Sequence, residues 1–464
     1  MSRQIVQEIT HSNYLSQDVM ITISEGEELT PSLLEEMIGQ HKQMVDLRYK
    51  KLRDAYIGAY PIFSQPNKEA FKPDNRLAIN FAKYIVDTMN GFFIGVPVRA
   101  QSSEKEIDEY LRFLNKYNDQ DDNNAELSKI CSIYGKGYEV YYNDAEAGQV
   151  AITYMSPIEG FMVYDDTNRQ MPRYFVNYYH DSDNVMHGEI RTRSEIIYFN
   201  DKGSFHFEDT VAHSFCDVPA TEFIENEERM SIFESTYSLI NAYNKAMSEK
   251  ANDVDYFADA YMKILGALLD DETLQKIRDN RIINLMGDDA DKVIVEFMDK
   301  PNADATQENL INRLQKLIFQ ISMVADISDE NFGANSGVAL KYKLLSMSNL
   351  AKTKERKFTS GMNRRYKIIF SNPVNKMGID DWIKVEYTFT QNFPANLQEE
   401  ASIAQALSGI TSHETQLSVL SNVHNVKDEL ELIKEEQQSQ ADSELNTIYE
   451  SPKKNTEELN DQTK

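Results

Sequence analysis

The sequence predicts an α+β fold, and three observations carry that expectation. Apolar residues recur at threes and fours over long stretches, as in Leu310, Leu314, Leu317, Ile318, Ile321 and Val324, which is the spacing of an amphipathic helix. From Gly137 to Phe207 the period changes to two, in short runs rich in Tyr, Val, Ile and Phe; these are residues suited to a pleated, half-buried surface. Turn clusters such as Asp144-Ala-Glu-Ala-Gly148 and Asp181-Ser-Asp-Asn184 separate the runs, so an antiparallel meander, mostly local in sequence, is expected.

Taken in order, residues 1–29 are polar and weakly patterned and read as a flexible arm. Thr30 supplies an N-cap with Pro31 at the first helical position, and a helix follows to about Tyr56. A second helix is expected over Arg76–Asn90, stopped by Gly91. Glu104–Lys116 and Asn124–Tyr134 read as shorter helices before the meander. Pro219 closes the strand region, and a long helix runs from about Ser231 to Ala260. Its surface is polar all round at Ser248–Asp255, which implies support from neighbouring helices or subunits. Residues 262–301 read as a small insert of strands (262–267, 281–286, 292–297) and one helix (271–280). Apolar periodicity resumes at 309. Beyond Lys367 come one alternating strand, 382–390, and helices at 396–407, 412–420 and 426–438. The stretch 437–464 has too few apolar residues to order itself and reads as disordered.

One stretch stands apart electrostatically. The chain carries a net charge of −27, yet Lys341–Lys367 holds nine Lys/Arg against the single acid Glu355. This basic helical segment follows a break, Asp326–Gly337, full of turn formers and helix-capping residues. A break between two helices beside a basic segment is the first candidate for function.

Several function classes lack their signals. The longest uncharged apolar run, Phe92–Val98, is too short to span a bilayer, and the first residues lack the apolar core of a signal peptide. Cys131 and Cys216 make no disulfide framework. Gly135-Lys136 lacks the upstream glycine of a phosphate-cradling loop. His187-Gly-Glu189 lacks a downstream Cys-x-x-Cys, His413-Glu414 lacks the second histidine of a zinc helix, and His180, His187, His206 and His213 are irregularly spaced for metal ligands. The strong acidity argues against broad wrapping by nucleic acid. The balance favours a structural protein with no cofactor and no metal.

Several strings resemble those of portal proteins from tailed phages of Gram-positive bacteria. They are Asn75–Pro97 (NRLAINFAKYIVDTMNGFFIGVP), Ile130–Gly137 (ICSIYGKG), Asn241–Ser248 (NAYNKAMS) and Ser328–Tyr342 (SDENFGANSGVALKY). Their order and spacing carry the resemblance, which covers roughly residues 31–435. It implies the portal fold: a wing at 30–225 and 338–395, stem helices at 226–261 and 303–327, a clip at 262–302, a tunnel loop at 328–337 and a helical crown at 396–436. It also implies a non-enzymatic homododecameric ring at one capsid vertex, through which double-stranded DNA is packaged and ejected. The implied partners are the terminase large subunit, the major capsid and scaffold proteins and a head-completion or adaptor protein, with no membrane. The implied location is the virion, after assembly in the host cytoplasm. Asn331, Phe332, Gly333, Ala334, Asn335 and Ser336 would face DNA, with Lys341 and Lys343 as candidate DNA or intersubunit contacts.

Other readings stand beside these. The loop 331–336 can be a plain connection in which Asn335 and Ser336 cap the next helix. The basic run can be a solvated helix face, or it can pair with acidic neighbours, in which case intersubunit ion pairs are favoured over phosphate contacts. The rival functions are a DNA-binding or DNA-processing enzyme and another head-completion or adaptor protein.

Overall fold

In the computed structural model, residues 15–69, 72–144, 146–258, 262–265, 294–297, 304–327, 342–392, 397–420, 422–423 and 426–449 are described. The chain divides into two units, Met1–Asn392 and Phe393–Lys464. In the first, Thr30 caps helix α1 (Pro31–Met44) through an Oγ1 that accepts from the Leu33 amide at 3.3 Å. A π turn at Val45–Tyr49 joins α1 to α2 (Lys50–Ile57). That turn aims Arg48 inward, where it meets both carboxylate oxygens of Glu234 at 2.6 Å.

The arm is not wholly free. Ile21–Ile23 forms strand β1, its two isoleucines buried and Thr22 exposed. Asp18, just before it, accepts from the Tyr49 hydroxyl at 2.6 Å and from Lys136 at 2.9 Å. The alternation is only three residues long, too short to register as a pattern in the sequence. Residues 1–14 lie outside the described residues.

The helix expected at Arg76 instead starts at Phe81, as α3 (Phe81–Ile94), capped by Asn80. Residues 75–79 stay extended because a later helix, α6 (Tyr237–Ala258), claims their amides. Asn252 accepts from Asn75 N (2.6 Å), Ser248 from Leu77 N (2.9 Å) and Asn244 from Ile79 N (2.8 Å). Four helical residues rise about 6 Å and two strand residues about 6.7 Å, so the repeats match. The polar surface of α6 is therefore a ladder for its own chain. Nor does Gly91 end α3, because the burial of Phe92, Phe93 and Ile94 outweighs the roughly 1 kcal/mol cost of an interior glycine.

After β2 (Arg99–Gln101), α4 (Lys105–Tyr117) and α5 (Gln120–Tyr134) come the strands β3 (Lys136–Asp144), β4 (Gln149–Met155), β5 (Gly160–Asp165), β6 (Pro172–His180), β7 (Met186–Arg191), β8 (Glu195–Asn200), β9 (His206–Ala212) and β10 (Ala220–Ile224). They do not form one meander. β5 to β9 do run as an antiparallel meander, with β1 added in parallel to β5. The β3–β4 hairpin belongs to a second sheet, in the order β10-β3-β4. β3 is buried on both faces from Lys136 to Tyr141.

Beyond α6, β11 (Met262–Leu265) pairs antiparallel with β12 (Ile294–Phe297); the helix expected at 271–280 and the strand expected at 281–286 lie outside the described residues. Helix α7 (Asp304–Ser322) returns along α6, with Gln307 donating to Asp253 at 2.7 Å. Leu310 and Ile321, expected on its apolar face, are exposed, while Ile311, Leu314 and Ile318 are buried. Next comes α8 (Leu345–Phe370). The strand expected at 382–390 shortens to β13 (Glu386–Thr388), which pairs with β2. Its first residues turn instead, as Asp381 accepts from the Gly378 amide at 2.7 Å and meets Lys384 at 2.8 Å.

The second unit holds α9 (Leu397–Leu407), α10 (His413–Leu417, capped by Ser412) and α11 (Val426–Tyr449). Helix α11 runs on to Tyr449, where disorder was expected from 437. Its Glu, Gln, Ala and Leu residues are strong helix formers that need no burial. Residues 450–464 lie outside the described residues.

His41 ties α1 to the large sheet. Its Nε2 lies 2.8 Å from the Pro157 carbonyl and its Nδ1 2.8 Å from the Tyr178 hydroxyl. A carbonyl only accepts, so Nε2 carries the proton and Nδ1 accepts. Burial disfavours the imidazolium and lowers the pKa to about 4. The unfolded chain binds its proton near pH 6.5, the folded one only near 4. The stability from neutral His41 is therefore complete above pH 6.5 and declines as pH falls toward 4, by up to about 1.4 kcal/mol per unit. Urea unfolding between pH 6.5 and 5 should show a shallower slope for His41→Gln than for the wild type; equal slopes would remove His41 from the acid response.

Candidate functional site: a pinched loop beside a basic helix

The basic segment becomes α8, which lies against β10 of the three-stranded sheet and against α3 and reaches α5 through Lys354 and Arg365. Met347, Ala351, Lys354, Phe358, Gly361, Met362 and Arg365 form its buried stripe. The Phe358 and Phe223 rings sit 4.9 Å apart. One turn on, a Cβ at Gly361 would stand 2.5 Å from the Phe223 ring. The sheet approaches so closely that only glycine fits there.

Two cations of this basic helix point inward. Arg365, fully buried, donates from Nε and Nη2 to the two oxygens of Glu139 on β3, at 2.6 and 2.9 Å, and from Nη2 to Asn124 at 2.7 Å. Burial opposes its charge, but the adjacent Glu139 carboxylate outweighs that and raises the guanidinium pKa above its ordinary value. Three turns earlier, Lys354 meets Glu225 at 2.7 Å, the Ser132 hydroxyl at 2.6 Å and the Ser128 carbonyl at 3.0 Å. Arg364 pairs with Asp217 at 3.0 Å, and Lys357 with Glu227. Acidic neighbours within the chain thus answer four of these cations, in line with the reading that the basic run pairs with acidic neighbours. Lys343, Lys352, Arg356 and Lys367 are exposed.

Helix α7 and α8 bracket the candidate loop, and its base is closed. The Ser346 hydroxyl donates to the Met323 carbonyl at 3.4 Å, so the chain that leaves α7 at Met323 comes back beside it at the start of α8. Met323 takes a left-handed turn (φ 60°) and Val324 and Leu344 are buried. The Ile327 amide donates to the Tyr84 hydroxyl at 2.8 Å. Phe319 packs on Phe81 and Tyr84 of α3, with centroids 5.7 and 5.5 Å apart. Asn331, Phe332, Gly333, Ala334, Asn335, Ser336 and Lys341 lie outside the described residues, between these anchored ends.

The inward pairs escaped the sequence reading, although a signal was present. Glu139 stands alone in the apolar run Tyr138–Tyr141, whereas Arg365 sits in the polar string Asn363-Arg364-Arg365 and gives no such signal. A charge isolated in an apolar run is a candidate for burial with a partner. Of the histidines considered as ligands, His187 meets Asp181 at 3.0 Å and His213 the Thr192 carbonyl at 3.1 Å. Among the described residues no three His, Cys, Asp or Glu side chains converge on a common point.

Comparison with known proteins assigns the chain to the structural proteins of phage particles. A family model described as "Phage portal protein, SPP1 Gp6-like" matches residues 36–443. The chain belongs to this family of portal proteins, head–tail connectors that are structural and not enzymatic. It is also similar to a portal protein of Clostridium phage phiCD119, 24% identical over 399 residues that span 79% of this chain and 86% of that one. A solved structure of the neck of an empty GTA particle, computed with C6 symmetry, contains a chain with 12% identity and a TM-score of 0.41; the match covers 73% of this chain and 89% of that one. Among the described residues no helix is long and apolar enough to cross a membrane.

Glu139→Gln leaves Arg365 buried without its counter-charge and should cost about 3–5 kcal/mol in chemical denaturation, whereas Glu139→Leu with Arg365→Met should recover most of that loss. Gly361→Ala should cost about 1–3 kcal/mol through the clash with Phe223. Wild-type stability in Glu139→Gln would contradict the inward pairing.

Proposed function

We propose that this chain is the subunit of a dodecameric portal ring at one capsid vertex, the channel through which double-stranded DNA enters and leaves. Family membership supports this reading, and the closed base of the 323–346 excursion is the structural observation that carries the role of the loop. A loop held at both ends by packed helices can project into a channel without loosening its base. On this reading residues 328–337 are the tunnel loop, with Asn331, Phe332, Gly333, Ala334, Asn335 and Ser336 facing DNA. These residues are all uncharged and, apart from the one phenylalanine, small or polar, so they can touch a duplex and release it. The surplus negative charge of the chain, −27 in all, repels phosphates along the rest of the channel.

The other segments divide accordingly. Residues 30–225 and 338–395 form the wing, 226–261 and 303–327 the stem, 262–302 the clip and 396–436 the crown. The terminase large subunit would dock at the clip end, and a head-completion or adaptor protein would link the ring to the tail. Capsid and scaffold proteins would surround the wing. On the same reading Lys341 and Lys343 are the candidate DNA or intersubunit contacts.

Deleting residues 331–336 removes the contact loop and spares its anchors, Met323, Ser346 and Tyr84. Phage carrying this deletion should assemble heads with the portal in place but fill few of them with DNA. Electron microscopy of lysates and the yield of nuclease-protected DNA measure both effects; normal filling would rule out the loop's role.

A further inference from the structure

A groove of about 590 Å³ runs between the outward face of α8 and β10. Arg356, Lys357, Ser360 and Arg364 line its helix side, Thr221 and Glu222 its sheet side. Most of its charges are matched: Lys357 by Glu227, Arg364 by Asp217 and Glu222 by Arg229. Arg356 is not. Its Nε donates only to the Lys352 carbonyl of its own helix, at 3.3 Å, and among the described residues no carboxylate pairs with it. Lys352, one turn back on the same exposed face, also has no acidic partner among the described residues. Subtracting the +8 of residues 341–367 from the chain's −27 leaves −35 for everything else. Lys352 and Arg356 together give this face of α8 an exposed positive charge, unpaired among the described residues, that an acidic partner could meet.

The same chain carries a patch of the opposite sign. From Gln4 to His41 there is no Lys or Arg, but there are seven acids. Five of these, Glu25, Glu27, Glu28, Glu35 and Glu36, are exposed around the turn from β1 to α1, and none has an ion pair among the described residues. Asp165, at the end of β5 beside this turn, pairs with Ile23 of β1, so the corner is held on the sheet.

We propose that the exposed basic face of α8 receives the acidic β1–α1 corner of a second copy of this chain. Each copy presents both patches, so the contact is heterologous, and copies follow one another head to tail until the rotation closes a ring. The inference rests on the ring reading and adds the surfaces that join neighbours. DNA fits this face less well, because a duplex outruns it and its further phosphates would meet a chain whose net charge outside residues 341–367 is −35, whereas the corner is a compact acidic patch. Exposed ion pairs are individually weak and screened by salt. The contact therefore sets the register between neighbours and makes assembly sensitive to ionic strength.

The test uses the full chain in four forms: wild type, Lys352→Glu with Arg356→Glu, Glu25→Lys with Glu27→Lys and Glu28→Lys, and the two sets combined. None of the substituted side chains has an ion-pair partner among the described residues, and thermal melting followed by circular dichroism checks that each form folds. Sedimentation velocity at low and high salt measures assembly. Each single set should raise the concentration needed for half-assembly roughly tenfold or more, and the combined set should restore it; wild-type assembly should weaken with salt. Normal assembly by either single set, no rescue in the combined set, or wild-type assembly indifferent to salt overturns the inference and leaves the ring reading standing. Normal assembly with loss of DNA filling in the α8 variant also overturns it, and assigns the face to DNA. A wild type that forms no ring defeats the ring reading itself.

Discussion

Two buried ion pairs on one helix set the position of nearly everything around the candidate site. Lys354 and Arg365 lie eleven residues apart on α8, about 16 Å along its axis, and reach different partners: Glu225 just after β10 and Glu139 on β3. A buried charge left alone is costly, while a buried pair adds little net stability over apolar packing. The pairs therefore act as a register lock: rotation of α8 by one residue would strand both cations in the core. Gly361 adds a steric key between them, since the Phe223 ring fills the space of its missing side chain.

Everything downstream of that lock inherits its precision. With α8 fixed, Ser346 is fixed, and with it the closure onto Met323 at the base of the candidate loop. On the other side α7 is held to α6, and α6 to residues 75–79 through Asn244, Ser248 and Asn252. The helices that enter and leave the loop are thus both tied to the sheet and α3 core by directed polar contacts. In a protein proposed to carry a moving duplex, those contacts hold the frame from which the loop departs and to which it returns.

Much of this architecture could be read from the sequence, and the failures share a cause. Periodicity located the long helices, the strand runs and the Thr30 cap, because these signals lie within one element. It misplaced the start of α3, since residues 75–79 are kept extended by side chains more than 160 positions away. It missed β1, whose parallel partner β5 lies some 140 residues on, and it merged two sheets into one meander because strand pairing with β10 is likewise non-local. The basic helix showed the same limit. Its composition was plain, yet whether a given lysine faces solvent or a glutamate depends on a partner 129 residues earlier, as with Lys354 and Glu225. The family resemblance came from ordered strings and not from any catalytic signature, and the role proposed for the loop rests on it.

The most direct measurement is single-particle imaging of the purified full-length chain across a range of protein and salt concentrations. A portal subunit of the kind proposed gives closed rings of twelve copies around an axial opening. Monomers or solid particles under every condition would contradict it.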